Sequence, residues 1–340
     1  MITLDSNKIE APASCLRHFK EDGLMRTSNT IDGEIMGDKF VFPFGGVGFN
    51  RFEYNKKKET ILVETSAKIL SDDYLQGIHI NNIERVVHQV NAMAGGRFEI
   101  DPKIFIEEGK FLNIDTTNNL RVSHELRDYF EALLAYGSGS KYQVSRYTEK
   151  GNQGVVYKGQ QRTFKERLIV YDKYIELTQK SDNREFFKTL NNSTRLLNEV
   201  KGVLRVEQNS VELRKIRERL NIHQTSILGV LTSPMKPNYN LAMKIIRGAE
   251  QLSIFNDLDE FKTFNQFEKF KGQETICREC GYDLENIEAL MRHFFSQGTN
   301  FSRQRRYYRN LIYTLQDKDR IEKGGVPDLV EEVLQLLQAS

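Results

Sequence analysis

Around Leu220 the chain changes period: before it apolar residues recur at alternate positions in short runs between turn residues, and after it they recur at helical spacing. A chain patterned this way predicts an α+β protein, with a mainly antiparallel sheet flanked by helices and then a helical C-terminal portion. No repeat at a solenoid period competes with that expectation. Residues 39–44, 48–54 and 60–65 read as strands, and Asn55, Lys56, Lys57, Lys58 and Glu59 as an exposed hairpin tip. Ile83, Val86, Val87 and Val90 form a helical stripe within residues 81–93, closed by Gly95 and Gly96. Residues 104–106 and 111–115 read as two strands about a turn at 107–110, and 128–134 as a helix. Gly137, Ser138, Gly139 and Ser140 read as a loop beside a site. Residues 154–158, 167–171 and 203–208 read as further strands, and 174–180 and 211–220 as helices. Residues 241–252, 284–295, 303–315 and 329–337 suit helices, the last opened by Pro327 and Asp328. The expected division is residues 1–220 as the catalytic unit and 221–340 as a helical DNA-binding or accessory unit.

At 39% hydrophobic and 28% charged residues the chain is too apolar to be disordered. Its longest apolar stretch, residues 40–49, is broken by Pro43 and several glycines, well short of the ~20 residues that span a bilayer. Asp5, Lys8 and Glu10 interrupt the region where a secretory signal is apolar. Three cysteines, Cys15, Cys277 and Cys280, make no disulfide framework, so the expected location is the cytoplasm, with no membrane association. With 49 basic against 47 acidic residues, any surface for nucleic acid has to be local.

Cys277 and Cys280 have the spacing of half a zinc site, but no second half follows His293, so a structural role is favoured. Gly45, Gly46 and Gly48 lack the Lys-Ser/Thr of a phosphate loop and read as a β-turn. The six histidines include no closely spaced chelating pair, and serine-nucleophile and kinase signatures are missing. The densest chemical signal lies in residues 141–173, where Lys141, Arg146, Lys150, Lys158, Arg162, Lys165, Arg167 and Lys173 interleave with Tyr142, Tyr147, Tyr157 and Tyr171. Cations neutralise phosphates and rings stack on unpaired bases, so this stretch suits single-stranded nucleic acid as well as it suits a solvated basic hairpin. Arg303, Arg305, Arg306 and Arg309, with Tyr307 and Tyr308, form a second basic-aromatic cluster on a predicted helix. Glu64, Asp115 and Glu207 each end an apolar run, and three such acids, if they meet, hold Mg²⁺ or Mn²⁺ beside a scissile phosphate.

The blocks Glu64-Thr65-Ser66-Ala67-Lys68-Ile69-Leu70, Asn82-Ile83, Phe111-Leu112-Asn113-Ile114-Asp115, Val155-Val156-Tyr157-Lys158-Gly159, Leu168-Ile169-Val170-Tyr171-Asp172-Lys173 with Glu176, and Val203-Leu204-Arg205-Val206-Glu207 occur in that order. Together they resemble the phage and plasmid rolling-circle replication initiators of the filamentous-phage gene II type, related to the plasmid trans-acting Rep proteins. The resemblance spans about residues 60 to 220; Asn113 and Gln160 stand where that family often has arginine and a small hydroxyl residue. It implies an origin-specific endonuclease that nicks and rejoins DNA through a tyrosine–5′-phosphate intermediate, in a bacterial host whose helicase and polymerase extend the nick. It further implies Tyr157 as nucleophile, Asp115 and Glu207 as metal ligands with Glu64 a third, and Lys158 or Lys173 as charge-stabilising cations. Arg146, Arg162, Lys165, Arg303, Arg305, Arg306 and Arg309 are the expected DNA contacts. Tyr171 is the second choice of nucleophile, and Tyr142 and Tyr147 follow. A mobilisation relaxase shares the same chemistry, and a non-catalytic DNA-binding accessory protein shares the surface but not the convergence of tyrosine and acids.

Overall fold

The structure, a computed structural model, describes residues 1–22, 24–31, 34–42, 45–136, 142–148, 153–159, 166–181, 183–210, 212–253, 263–294, 299–324 and 327–340. Arg162, Lys165, Gln160 and the Gly-Ser tetrapeptide at 137–140 lie outside the described residues.

The strands are β1 (Leu4–Pro12), β2 (Leu16–Phe19), β3 (Met25–Ile31), β4 (Glu34–Phe42), β5 (Phe49–Asn55), β6 (Thr60–Ser66), β7 (Phe98–Ile100), β8 (Lys110–Arg121), β9 (Tyr142–Arg146), β10 (Gly154–Gly159), β11 (Arg167–Asp172) and β12 (Val203–Ser210). Among the described residues ten of them form one sheet in the order β3-β4-β5-β6-β1-β8-β12-β11-β10-β9, and β2 pairs with β7 apart from it. Every pairing is antiparallel. Gly48 makes the tight turn into β5: its φ of +81° suits glycine, and a Cβ there would lie 2.1 Å from the Ile69 nitrogen.

The N-terminal half of the sheet buries Ile9 and Ala11 of β1, Phe49 and Phe52 of β5, Ile61 and Val63 of β6, and Phe111 of β8. The helices α1 (Ile83–Met93), with the expected stripe Ile83, Val86, Val87 and Val90, and α2 (Pro102–Glu108) close that core. Residues 104–106, read from sequence as a strand, are helical in α2. The Asp101 carboxylate accepts from the backbone N–H of Lys103 (2.9 Å) and Ile104 (3.2 Å), and Pro102 opens the first turn. Three consecutive apolar residues were too few to outweigh that cap.

In the C-terminal half, successive side chains point to opposite faces. On one face Val155 and Tyr157 of β10, Leu168 and Val170 of β11, and Leu204 and Val206 of β12 enter an apolar core. Side chains of α3 (Leu126–Leu134) help to close it. On the other face Arg205 and Glu207 of β12 stand beside a 3₁₀ segment, Ala67–Gln76, and near α4 (Lys173–Gln179), α5 (Asn183–Lys188) and α6 (Ser193–Val200). Tyr74 of that segment packs on Phe186 of α5, ring centroids 5.1 Å apart.

The remaining helices are α7 (Leu213–Leu220), α8 (Ile227–Leu231), α9 (Pro237–Ser253), α10 (Phe264–Glu279), α11 (Leu284–Arg292), α12 (Thr299–Gly324) and α13 (Pro327–Ala339). All described elements after β12 are helical, but they do not stand apart from the sheet. Ile245 and Ile246 of α9 and Val330, Val333 and Leu334 of α13 share the core of Tyr157 and Val206, each such side chain contributing about 1.5–3 kcal/mol by burial. Helices α10, α11 and α12 build a smaller core of their own around Cys277, Ile287, Met291, Tyr308 and Leu311. Among the described residues no helix is long and apolar enough to cross a membrane.

Candidate active site

The polar face of the sheet acquires its chemistry from strand register. Asp115 of β8 pairs with Ser6 of β1 and Asn209 of β12, while Glu207 pairs with Thr117. Asn113, Asp115 and Thr117, two residues apart, therefore share one face with Arg205, Glu207 and Asn209. In β11, Tyr171 lies opposite Arg205 and joins the same face. A β-bulge adds Asp5 to the group. Leu4 pairs with Thr116 and Ser6 with Asp115, so Asp5 is the extra residue, and its carboxylate meets the Arg205 guanidinium.

Arg205, 1% exposed, is the hub of this cluster. Its Nη2 donates to Asp5 and its Nε donates to Glu207 Oε1 at 2.7 Å, while its guanidinium carbon sits 5.5 Å from the Tyr74 ring centre. The Tyr171 hydroxyl donates to the same Glu207 oxygen at 2.7 Å. Lys173 lies 4.9 Å from the Tyr74 ring centre and 5.6 Å from that of Tyr171, and donates to Glu176 at 2.6 Å. Local sequence accounts for this arrangement. Tyr171 lies next to the end of β11 on the polar face, Asp172 caps α4 by accepting from the N–H of Tyr174 (2.8 Å) and Ile175 (3.1 Å), and Lys173 and Glu176 then fall one turn apart. A buried pair such as Lys173–Glu176 needs further donors, and Lys180 supplies one to Glu176 at 2.8 Å.

Protonation follows burial and charge. Burial is the main cause that pushes Asp115 up to about 6; hydrogen bonds from Ser6 and Asn209 work against it, and the charges of Asp5 and Glu207 add to it. Burial also raises Asp5, but Arg205 and then Lys173 outweigh it and hold Asp5 below the ordinary carboxylate range. Burial, followed by the Glu207 charge, keeps Tyr171 protonated well above the usual phenol range. Burial opposes ionisation of Glu176, yet Lys173 and Lys180 hold its carboxyl well below the ordinary value.

The sequence-derived site residues separate into two groups. Asp115 and Glu207 come together, and Lys173 joins them through Tyr171. Tyr157 does not meet them. It is 1% exposed on the opposite, apolar face, and its hydroxyl donates to the Leu133 carbonyl at 2.5 Å. Paired strands explain the split, since Tyr157 lies opposite Leu168, an odd number of residues from Tyr171. Glu64 is on the polar face but two strands from Asp115, roughly 10 Å away, and pairs with Lys8 at 2.7 Å. Lys158 is exposed on β10. Arg146 is exposed and pairs with Glu131 at 2.8 Å. Arg303, Arg305, Arg306 and Arg309 are exposed on α12, where Arg305 is tied to Glu288 while Tyr308 packs inward. Tyr142 spends its hydroxyl on Glu166 at 2.7 Å. Asp5, Ser6, Tyr74 and Asn209 were not among the expected residues. Asp5 needs a bulge to reach the site, and Arg205 was visible only as part of the block Val203-Leu204-Arg205-Val206-Glu207.

The donor set suits a hard cation. Asn113 Oδ1 and Thr117 Oγ1 are buried without hydrogen-bond partners, and both flank Asp115 on its own strand and face. Among the described residues, however, no three His, Cys, Asp or Glu side chains are grouped to hold a metal, and Arg205 bonds to both Asp5 and Glu207. A Mg²⁺-like ion, which keeps several waters and needs only one or two carboxylates, fits Asp115 with one of these neutral oxygens, since residues four apart on a strand lie roughly 13 Å from each other and cannot share one ion. No family model matches the chain, and neither do the curated proteins or the solved structures compared with it.

Proposed function

We propose that the protein is an origin-specific DNA nicking and strand-joining endonuclease of the rolling-circle type, working through a tyrosine–5′-phosphate intermediate, with Tyr171 rather than Tyr157 as nucleophile. The observation that carries this reading is the hydrogen bond from the Tyr171 hydroxyl to Glu207, on the face that also holds Asp115, Arg205 and Lys173. Glu207 accepts the phenolic proton as the Tyr171 oxygen attacks phosphorus. The bond to the 3′ oxygen breaks, that oxygen takes a proton from solvent as a free 3′-hydroxyl, and the 5′ phosphate stays on the tyrosine. Attack of a 3′-hydroxyl on the phosphotyrosine reverses the step and restores the proton to Tyr171. Arg205 and Lys173 supply fixed positive charge beside the reacting group, where the pentavalent phosphate gains negative charge. Asp115, with Asn113 or Thr117, would hold Mg²⁺ or Mn²⁺, which when bound would polarise the phosphate oxygens as a Lewis acid.

The test is a nicking assay on supercoiled DNA carrying the cognate origin, with Mn²⁺ or Mg²⁺. Wild type should give open circles and a covalent protein–DNA adduct, and Tyr171→Phe and Asp115→Ala should give neither. Tyr157→Phe, once shown to be folded, should still cut. A wild-type protein that binds this DNA but never cuts it would move the assignment to a DNA-binding accessory protein.

A further inference from the structure

Tyr171 is only 4% exposed, and the ring lying against it on the polar face is Tyr147, 5.9 Å away at 57°. Tyr147 follows β9, the edge strand of the sheet, and its N–H donates to the Gly154 carbonyl at 2.8 Å, which extends the ladder by one residue. Gly154 separates the two tyrosines across β10. A Cβ there would fall 2.7 Å from the Tyr171 Cβ and 2.2 Å from the Val170 carbonyl oxygen, so no larger side chain fits between them. The Tyr147 ring is half-buried, the Arg167 guanidinium carbon lies 5.6 Å from its centre, and its hydroxyl makes no hydrogen bond among the described residues. Further along this face stand Gln143, Ser145 and Lys158, all exposed.

Tyr157 and Tyr142 are buried with their hydroxyls committed, so Tyr147 is the tyrosine of this basic stretch, among the described residues, with ring surface open to solvent. We infer that Tyr147, backed by Arg167, is a stacking platform for one unpaired base of single-stranded DNA next to the scissile phosphate. The inference rests on Tyr171 as nucleophile. A base seated on Tyr147 brings its own phosphate toward Tyr171, and Lys158 meets the backbone along the strip. Stacking of this kind accepts any base, so the platform selects unpaired DNA over duplex without reading sequence.

The experiment measures binding of a fluorescein-labelled oligothymidylate of about 12 nucleotides by anisotropy, and of the same strand annealed to its complement. Adduct formation on an origin oligonucleotide is followed in parallel. Tyr147→Ala and Tyr147→Leu should raise Kd for the single strand at least about fivefold, with little change for the duplex. Tyr147→Phe should stay within about twofold of wild type and still form the adduct. The leucine variant keeps apolar bulk at the edge and so separates stacking from folding. An unchanged single-strand Kd in both Tyr147→Ala and Tyr147→Leu would overturn the platform. Loss of the adduct in Tyr147→Phe with binding intact would also overturn it, because Tyr147 would then be the nucleophile. If Tyr171→Phe still forms the adduct while Tyr147→Ala weakens binding, the nucleophile assignment fails and the platform stands.

Discussion

Tyr157 and Tyr171 sit on neighbouring strands of one sheet, yet they live in different chemical worlds. The face of Tyr157 is closed by α3, α9 and α13 and contains leucine, isoleucine and valine, so its phenol is a packing group whose hydroxyl satisfies one carbonyl. The face of Tyr171 holds an arginine bridging two carboxylates, a buried lysine and a third carboxylate, so the same phenol there is part of an ionic network. The difference between them is one step of strand parity. Aromatic residues in a basic stretch acquire a role only when register assigns each to a face.

The sharpest way to break this comparison is to remove each hydroxyl in turn. Tyr171→Phe should abolish the covalent adduct, a loss of at least about a thousandfold in single-turnover cleavage, because no other group replaces the nucleophile. An adduct persisting in that variant would erase the functional distinction between the faces. Next comes Arg205→Leu, which leaves the half-buried Asp5 and Glu207 without their shared cation and should destabilise the fold by about 1–3 kcal/mol, read by urea denaturation. A loss well below 1 kcal/mol would mean that water already screens the cluster.

An effect of opposite sign is expected at Asp115. Its folded pKa, about 6, lies above the ordinary 3.8, so the folded state holds a proton that the unfolded chain releases. Its contribution is therefore complete below about 3.8 and is lost as pH rises toward 6. In metal-free protein Asp115→Asn should remove that loss and raise stability at pH 7 by about 1–3 kcal/mol. Urea melts at pH 4 and pH 7 in EDTA check it, and an equal response at both values would refute it. Smallest of all, Tyr157→Phe should cost about 0.5–1.5 kcal/mol through the lost bond to Leu133 while cutting persists.

Much of the scaffold was legible in the sequence. Short apolar runs between turn residues placed the strands at residues 60–66, 154–159, 167–172 and 203–210 to within a few positions, and the Ile83, Val86, Val87, Val90 stripe placed α1. Strand β1 was not legible, since Asn7 points inward among its apolar positions and a bulge at Asp5 breaks the alternation. For the site, Asp115 and Glu207 were visible as acids on apolar strands. The choice between Tyr157 and Tyr171 was not, because Val155-Val156-Tyr157 and Leu168-Ile169-Val170-Tyr171 are nearly continuous apolar runs with no alternation to mark a face. Pairing register decides that question, and it is a property of two strands together.

The place of β1 has a consequence for how the chain reaches this structure. It is the seam between the meander ending in β6 and the strands beginning with β8, and those two halves of the sheet are joined edge to edge only through it among the described residues. Residues 4–12 thus wait for partners around residues 60–66 and 110–121 before their hydrogen bonds are satisfied. Such long-range closure is slow, because loop entropy is lost before contacts reward it. Assembly of the site is tied to that late event, since Asp5 and Ser6 are delivered by the strand that closes the seam.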